Sequence, residues 1–151
     1  MECLNYSKAG STEDIKNEID RMVREEKLSL KQAECIKLKD IDTFAGSSIG
    51  ERIKRAYAYG GVKREQPFVF EYDRQLVQGV IDLYFIEDGQ LVIVDYKTDR
   101  VLRGRAGEDE LRRRYSIQID YYAMALSQIT GLKVKEKVIY SFALGRSLTV
   151  E

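Results

Sequence analysis

The run Leu91-Val92-Ile93-Val94, followed at once by Asp95, Tyr96 and Lys97, constrains the fold of this chain more than any other segment. It is rich in β-branched residues and too short for an ordinary helix, so it reads as a strand. Apolar residues at consecutive positions face both sides of a sheet, which places this strand centrally and requires cover on both faces. Its neighbours fit that placement. Val62 to Tyr72 contains Phe68-Val69-Phe70, and Leu76 to Ile86 contains Val80-Ile81-Asp82-Leu83-Tyr84-Phe85. Asp73-Arg74 and Glu87-Asp88-Gly89 are the short polar connections expected of two successive antiparallel hairpins.

Helical periodicity surrounds this sheet pattern. Ser11 with Asp14 starts a first helix whose apolar stripe is Ile15, Ile19, Met22 and Val23. Ser29 with Gln32 repeats the capping signature ahead of Ala33, Ile36 and Leu38. Ser48 with Glu51 does so ahead of Ile49, Ile53, Ala56 and Tyr57, and Gly60-Gly61 stops that helix. Beyond the third strand, Leu111, Tyr115, Ile119, Tyr122, Leu126 and Ile129 predict a long helix from Glu108 to Thr130, capped by Gly131. Gly104 and Gly107 suggest a mobile loop before it. Val138 to Leu144 is the last substantial strand, and Leu148 to Val150 adds a short one. Strand, helix and strand then form a right-handed βαβ unit with parallel strands. The expectation is an α/β fold, with α+β as the alternative: a small mixed sheet flanked by helices. Residues 1–60 form the helical part and residues 61–151 the sheet and long helix, in a chain of 151 residues that suits one domain.

Composition narrows the partners. Twenty-five basic residues balance twenty-five acidic ones, so any nucleic-acid binding rests on a local patch and not on a global field. Two cysteines, Cys3 and Cys35, with no histidine, do not supply the roughly four N or S ligands of a zinc site. A disulfide between them is not expected in a cytosolic chain. No apolar run approaches the roughly 20 residues that span a bilayer, and Met1 opens no basic-then-apolar leader. The expected location is cytoplasmic, with no membrane partner.

Three side chains carry the chemistry. Asp82 interrupts an otherwise apolar strand; Asp95 ends the central run, and Lys97 follows two residues later. Alternation puts Asp95 and Lys97 on one face, about 6–7 Å apart along the strand. If the hairpin at Glu87–Gln90 pairs its strands, Asp82 falls opposite or nearly opposite Asp95. Two carboxylates held close on a rigid sheet repel each other, and a divalent cation such as Mg²⁺ or Mn²⁺ resolves that repulsion. A carboxylate in mid-strand requires a partner or a metal, and Lys97 also serves as a partner. Spacing alone therefore leaves a metal site and a plain ion pair both open.

Three stretches in order, Gly79-Val80-Ile81-Asp82, Asp95-Tyr96-Lys97-Thr98-Asp99-Arg100 and Gln118-Ile119-Asp120-Tyr121-Tyr122, resemble the RecB-like branch of the PD-(D/E)xK nucleases. Lys63-Arg64-Glu65-Gln66-Pro67-Phe68 and the segment from Val134 to Phe142 extend the likeness, which runs from Thr12 to the C-terminus. It is strongest to the C-terminal nuclease domain of AddA-type helicase–nuclease subunits. The resemblance implies a restriction-endonuclease-like core that hydrolyses DNA phosphodiester bonds as an exonuclease, in double-strand-break processing and recombinational repair. It implies Mg²⁺ or Mn²⁺ on Asp82, Asp95 and the Tyr96 carbonyl. Lys97 would orient the attacking water or stabilise the pentavalent phosphate. Gln118 and Tyr122, one helical turn apart, would lie beside the site, although Tyr122 also fits the core stripe. Glu65 matches a family glutamate, as a ligand or as a support of the sheet. The implied partners are single-stranded DNA ends, a helicase motor that alone would use ATP, and a second helicase–nuclease subunit.

The chain departs from that pattern in two places. RecB-like nucleases usually carry a metal-binding histidine in a Gly-Thr-x-x-His element on an upstream helix, and this chain has none. Met1 to Gly10 resembles the segment just after that helix, so the expectation is a fragment of a larger helicase–nuclease or a divergent stand-alone relative. The alternative function is a nuclease-fold DNA-binding or structural module with little activity. Ile81 also stands where the family name has proline. Finally, Arg100, Arg103, Arg105, Arg112, Arg113 and Arg114 cluster between the third strand and the long helix. They read either as a solvated face balanced by Glu108, Asp109 and Glu110 or as a phosphate-contacting rim, with Arg100, Arg103 and Arg105 foremost. Tyr96 and Tyr115 are candidates for stacking on unpaired bases.

Overall fold

The computed structural model describes residues 12–151, with Thr12 and Cys35 described by backbone alone. The expected cap at Ser11, the likeness of Met1 to Gly10 and the Cys3–Cys35 question lie outside the described residues. The chain divides into two compact units, Met1–Gly60 and Gly61–Glu151.

The first unit holds α1 (Thr12–Arg24), α2 (Leu30–Cys35), α3 (Leu38–Ala45) and α4 (Ser48–Ala58). Ile15, Ile19 and Met22 of the predicted first stripe are buried, as are Phe44, Ile49 and Ile53. Ser29 closes a full capping box with Gln32, as its sequence signature requires. Two boundaries differ from expectation. Ile36 adopts extended backbone (ψ 120°), so α2 ends at Cys35 and Leu38 opens a separate helix. The cap of α4 is Ser47 and not Ser48, because the Ser47 side chain accepts the Gly50 N–H.

The second unit is a five-stranded sheet in the order β1-β2-β3-β4-β5. Its strands are β1 (Val62–Tyr72), β2 (Gln75–Glu87), β3 (Gln90–Lys97), β4 (Val134–Ser141) and β5 (Arg146–Val150), with α5 (Arg105–Thr130) between β3 and β4. The β3–β4 pair is parallel and the other pairs are antiparallel. The mixed α/β architecture and the central position of the apolar run are as the sequence indicates. β4 starts four residues before the expected Val138, because Val134 already pairs with Leu91 as the chain leaves α5. It stops at Ser141, where the side chain accepts the Leu144 N–H at 3.3 Å and turns the chain into β5.

The core on the α5 side joins Phe68, Phe70, Ile81, Tyr84 and Ile93 of the sheet to Leu111, Ile119, Tyr122 and Leu126 of the helix. Ile129, expected in that stripe, is 59% exposed; Ala125 and Leu126 take the last buried places. Gly107 is not in a loop. It lies buried in the first turn of α5, where an added Cβ would stand 1.9 Å from the Leu102 carbonyl oxygen. At Gly79 an added Cβ would meet the Phe68 ring at 2.9 Å, so this glycine admits the aromatic ring that packs edge-on against Tyr122.

Candidate active site

The β2–β3 ladder pairs Leu83 with Val94 and Tyr84 with Ile93, so one further step of the same register sets Asp82 opposite Asp95. The ladder hands over to a side chain at that step. Asp82 Oδ2 accepts the Tyr96 N–H at 2.8 Å, which fixes the carboxylate against β3. On its other side, Arg64 pairs with Leu83 and Gln66 with Ile81, so Glu65 falls opposite Asp82. Ile81 and Tyr84 both join the core beneath α5 although they are three residues apart, so the alternation of β2 is interrupted at Asp82 and Leu83. Glu65 has φ +46°, a left-handed conformation that costs a residue with a Cβ on the order of 1–3 kcal/mol. Strain therefore sits next to the carboxylates.

Asp95 is 1% exposed. The Lys97 ammonium lies 2.8 Å from its Oδ2. That approach is too oblique for a hydrogen bond, and both Asp95 oxygens are buried without an aligned donor. A buried carboxylate normally collects donors, since leaving it without them costs more than for a neutral group. Burial pushes the Asp95 carboxyl up to about 6; Lys97 pulls it down, while the charges of Asp82 and Asp99 add to the rise. The plain surface ion pair left open by the sequence does not describe this site, because the Lys97 side chain is also mostly buried, at 14% exposure.

One face of α5 completes the constellation. Gln118 spans two partners: its Oε1 accepts from Lys97 Nζ at 3.1 Å, and its Nε2 donates to the Tyr122 hydroxyl at 2.6 Å. Tyr122 is both core and site, with a buried ring and a hydroxyl pushed up to about 12 by burial and by the charges of Asp95, Asp82 and Glu65. Tyr115 lies one turn before Gln118. Its ring centroid is 4.1 Å from Lys97 Nζ, and its hydroxyl donates to Asp99 at 2.8 Å. Sequence alone offers Tyr115 a place in the core stripe or a role in base stacking. Its spacing of three and seven residues from Gln118 and Tyr122 is the signal that it shares their face.

The structure thus brings Asp82, Asp95, Lys97, Gln118 and Tyr122 together, with Glu65 alongside. Among the described residues no three His, Cys, Asp or Glu side chains form a ready metal cage. The donor set for a cation is two carboxylates plus backbone oxygen, such as the Tyr96 carbonyl. An orphaned buried carboxylate beside a second one fits a hard divalent ion.

The arginines divide into two groups. Arg114 bonds Asp99 and Glu110, and Arg112 bonds Asp109 and the Thr149 carbonyl. Arg105 is exposed and reaches Asp109 only at 4.0 Å. Arg100 and Arg103 are exposed and, among the described residues, have no acidic partner. No described helix is long and apolar enough to cross a membrane.

Comparison with known proteins agrees with this geometry. Residues 5–148 match the model of the PD-(D/E)XK nuclease superfamily. The AddA-type ATP-dependent helicase/nuclease subunit of Thermoanaerobacter sp. (strain X514) is 40% identical over 98% of this chain and 13% of its own length. Its counterparts in Clostridium novyi (strain NT) and Clostridium botulinum (strain Langeland) are 35% and 34% identical, over 94% and 100% of this chain. The chain spans 12% of each of these two relatives. With the match running through the sheet, the long helix and all the candidate site residues, the chain belongs to the PD-(D/E)XK nuclease superfamily.

Proposed function

We propose that this chain is the nuclease portion of a helicase–nuclease and hydrolyses DNA phosphodiester bonds with a divalent cation, Mg²⁺ or Mn²⁺, at Asp82 and Asp95. The observation that carries the reading is Asp95: a carboxylate with both oxygens buried, no aligned donor, and a second carboxylate set opposite it. PD-(D/E)XK nucleases generally use divalent metals, which supports a cation as the missing partner. Asp82, Asp95 and the Tyr96 carbonyl would hold the ion. When bound, it would neutralise phosphate charge and make a nucleophilic water available near neutral pH.

The chain's own residues supply the rest. Lys97 places a fixed positive charge beside the carboxylates, where negative charge grows on the phosphate oxygens during attack. Gln118 holds that ammonium by its carbonyl oxygen and leaves other N–H bonds for substrate. Tyr122, far from ionising at neutral pH, keeps its hydroxyl proton and braces Gln118. Glu65 lends further negative charge to the cation side. Arg100, Arg103 and Arg105 form the strand-binding rim, and single-stranded ends are the substrate. Double-strand-break processing, an attached motor that consumes ATP and a second subunit follow from the relatives' role as helicase/nuclease subunits.

The test is cleavage of end-labelled single-stranded DNA by this chain, with Mg²⁺ or Mn²⁺ and with chelator. The reading predicts cleavage with metal, none with chelator, and losses of about 100-fold or more in Asp82→Ala, Asp95→Ala and Lys97→Ala. Cleavage that persists in chelator, or in all three variants, overturns it.

A further inference from the structure

We infer that Tyr115 is a positioning residue for Lys97, its ring face fixing the direction of the ammonium and Asp99 fixing the ring. The inference rests on the reading of Lys97 as the cationic group of the site. A lysine carries several rotatable bonds, so its charge must be held in place by its surroundings. Asp95 lies close enough to attract the ammonium but presents no aligned oxygen to it, so it does not set its direction. Two groups remain. Gln118 Oε1 takes one N–H at 3.1 Å, and the Tyr115 ring receives the charge at 4.1 Å from its centroid. A ring face attracts a cation through its quadrupole and adds no lone pair to compete with substrate oxygens. It therefore stabilises the ammonium without using up its hydrogen-bonding capacity.

The ring is itself held. Tyr115 Oη donates to Asp99 Oδ1 at 2.8 Å, and Arg114 Nη1 donates to the same oxygen at 3.0 Å. Asp99 lies two residues beyond Lys97, so the segment carrying the lysine is tied to α5 at two points: Asp99 to Tyr115, and Lys97 to Gln118. Without the first tie the lysine keeps one directional partner, and its charge is free to swing about it.

The experiment reads the ring directly. In this chain, the Lys97 ε-methylene protons should show an upfield ring-current shift in ¹H–¹³C spectra, recorded without metal. Tyr115→Phe should keep the shift, and Tyr115→Leu should abolish it. In the cleavage assay, Tyr115→Leu should lower kcat about ten- to thirtyfold with KM little changed, and Tyr115→Phe should restore most of kcat. Asp99→Asn, at a partly exposed position that does not threaten folding, should shrink the shift without abolishing it. A shift absent from the parent, a shift retained in Tyr115→Leu, or parental kcat in Tyr115→Leu overturns the inference. An Asp99→Asn shift equal to the parent's overturns the role of Asp99. If the shift behaves as stated while the parent does not cleave DNA, the positioning of Lys97 stands and the nuclease reading falls.

Discussion

At the scale of single residues, the site is defined by what Asp95 lacks. Its raised value, about 6 against an ordinary 3.8, has a consequence for stability without metal. A carboxyl whose folded value lies above its unfolded one stabilises the folded state below about pH 4, and that contribution is lost as pH rises through 6. The stability of the parent relative to Asp95→Asn should therefore fall between pH 4 and 6 in chelator, by up to about 3 kcal/mol. Urea unfolding at a series of pH values measures it, and a difference that stays level contradicts the burial of an uncompensated charge. Saturating divalent cation should remove the decline, since an ion on the carboxylate favours its charged form. Asp82, Asp95 and Lys97 were legible in the sequence because a carboxylate inside an apolar strand is rare. The tie between Tyr115 and Lys97 was not, because an aromatic in a helical stripe reads first as core.

At the scale of elements, strand identity and order followed from period and run length: alternation for the hairpins, a continuous apolar run for β3. What escaped the sequence depended on contacts that no local pattern encodes. The early start of β4 is set by its partner across the sheet, and the split between α2 and α3 by extended backbone at Ile36. Gly107 is the sharpest case. Read locally, a glycine near an arginine-rich stretch suggests a loop, whereas the Leu102 carbonyl leaves no room for a Cβ there. Helix propensity alone makes Gly107→Ala stabilising by about 1 kcal/mol. The close approach to backbone predicts the opposite, a loss of about 1–3 kcal/mol, read as a lower denaturant midpoint. A raised midpoint would mean that the Leu102 turn yields easily, and the start of α5 would then not be fixed by it.

At the scale of the whole molecule, balanced charge leaves no long-range attraction for DNA. Binding then rests on the few cations without acidic partners. Arg100→Glu with Arg103→Glu should weaken single-stranded DNA binding and lower the log–log salt slope by about 1.4, since each lost phosphate contact removes about 0.7. Arg112→Ala should change the slope little, because Asp109 already engages that side chain. Fluorescence anisotropy across a salt series separates the two, and equal slopes for parent and double variant would remove Arg100 and Arg103 from the rim. Beneath all of this lies the claim that the orphaned carboxylate of Asp95, with Asp82, is a seat for a divalent cation. Electron paramagnetic resonance of free Mn²⁺, titrated with this chain, tests that claim most directly. The parent should bind Mn²⁺, Asp82→Asn and Asp95→Asn should each lose that binding, and Arg112→Ala should retain it. Mn²⁺ uptake unchanged in both carboxamide variants would contradict the claim.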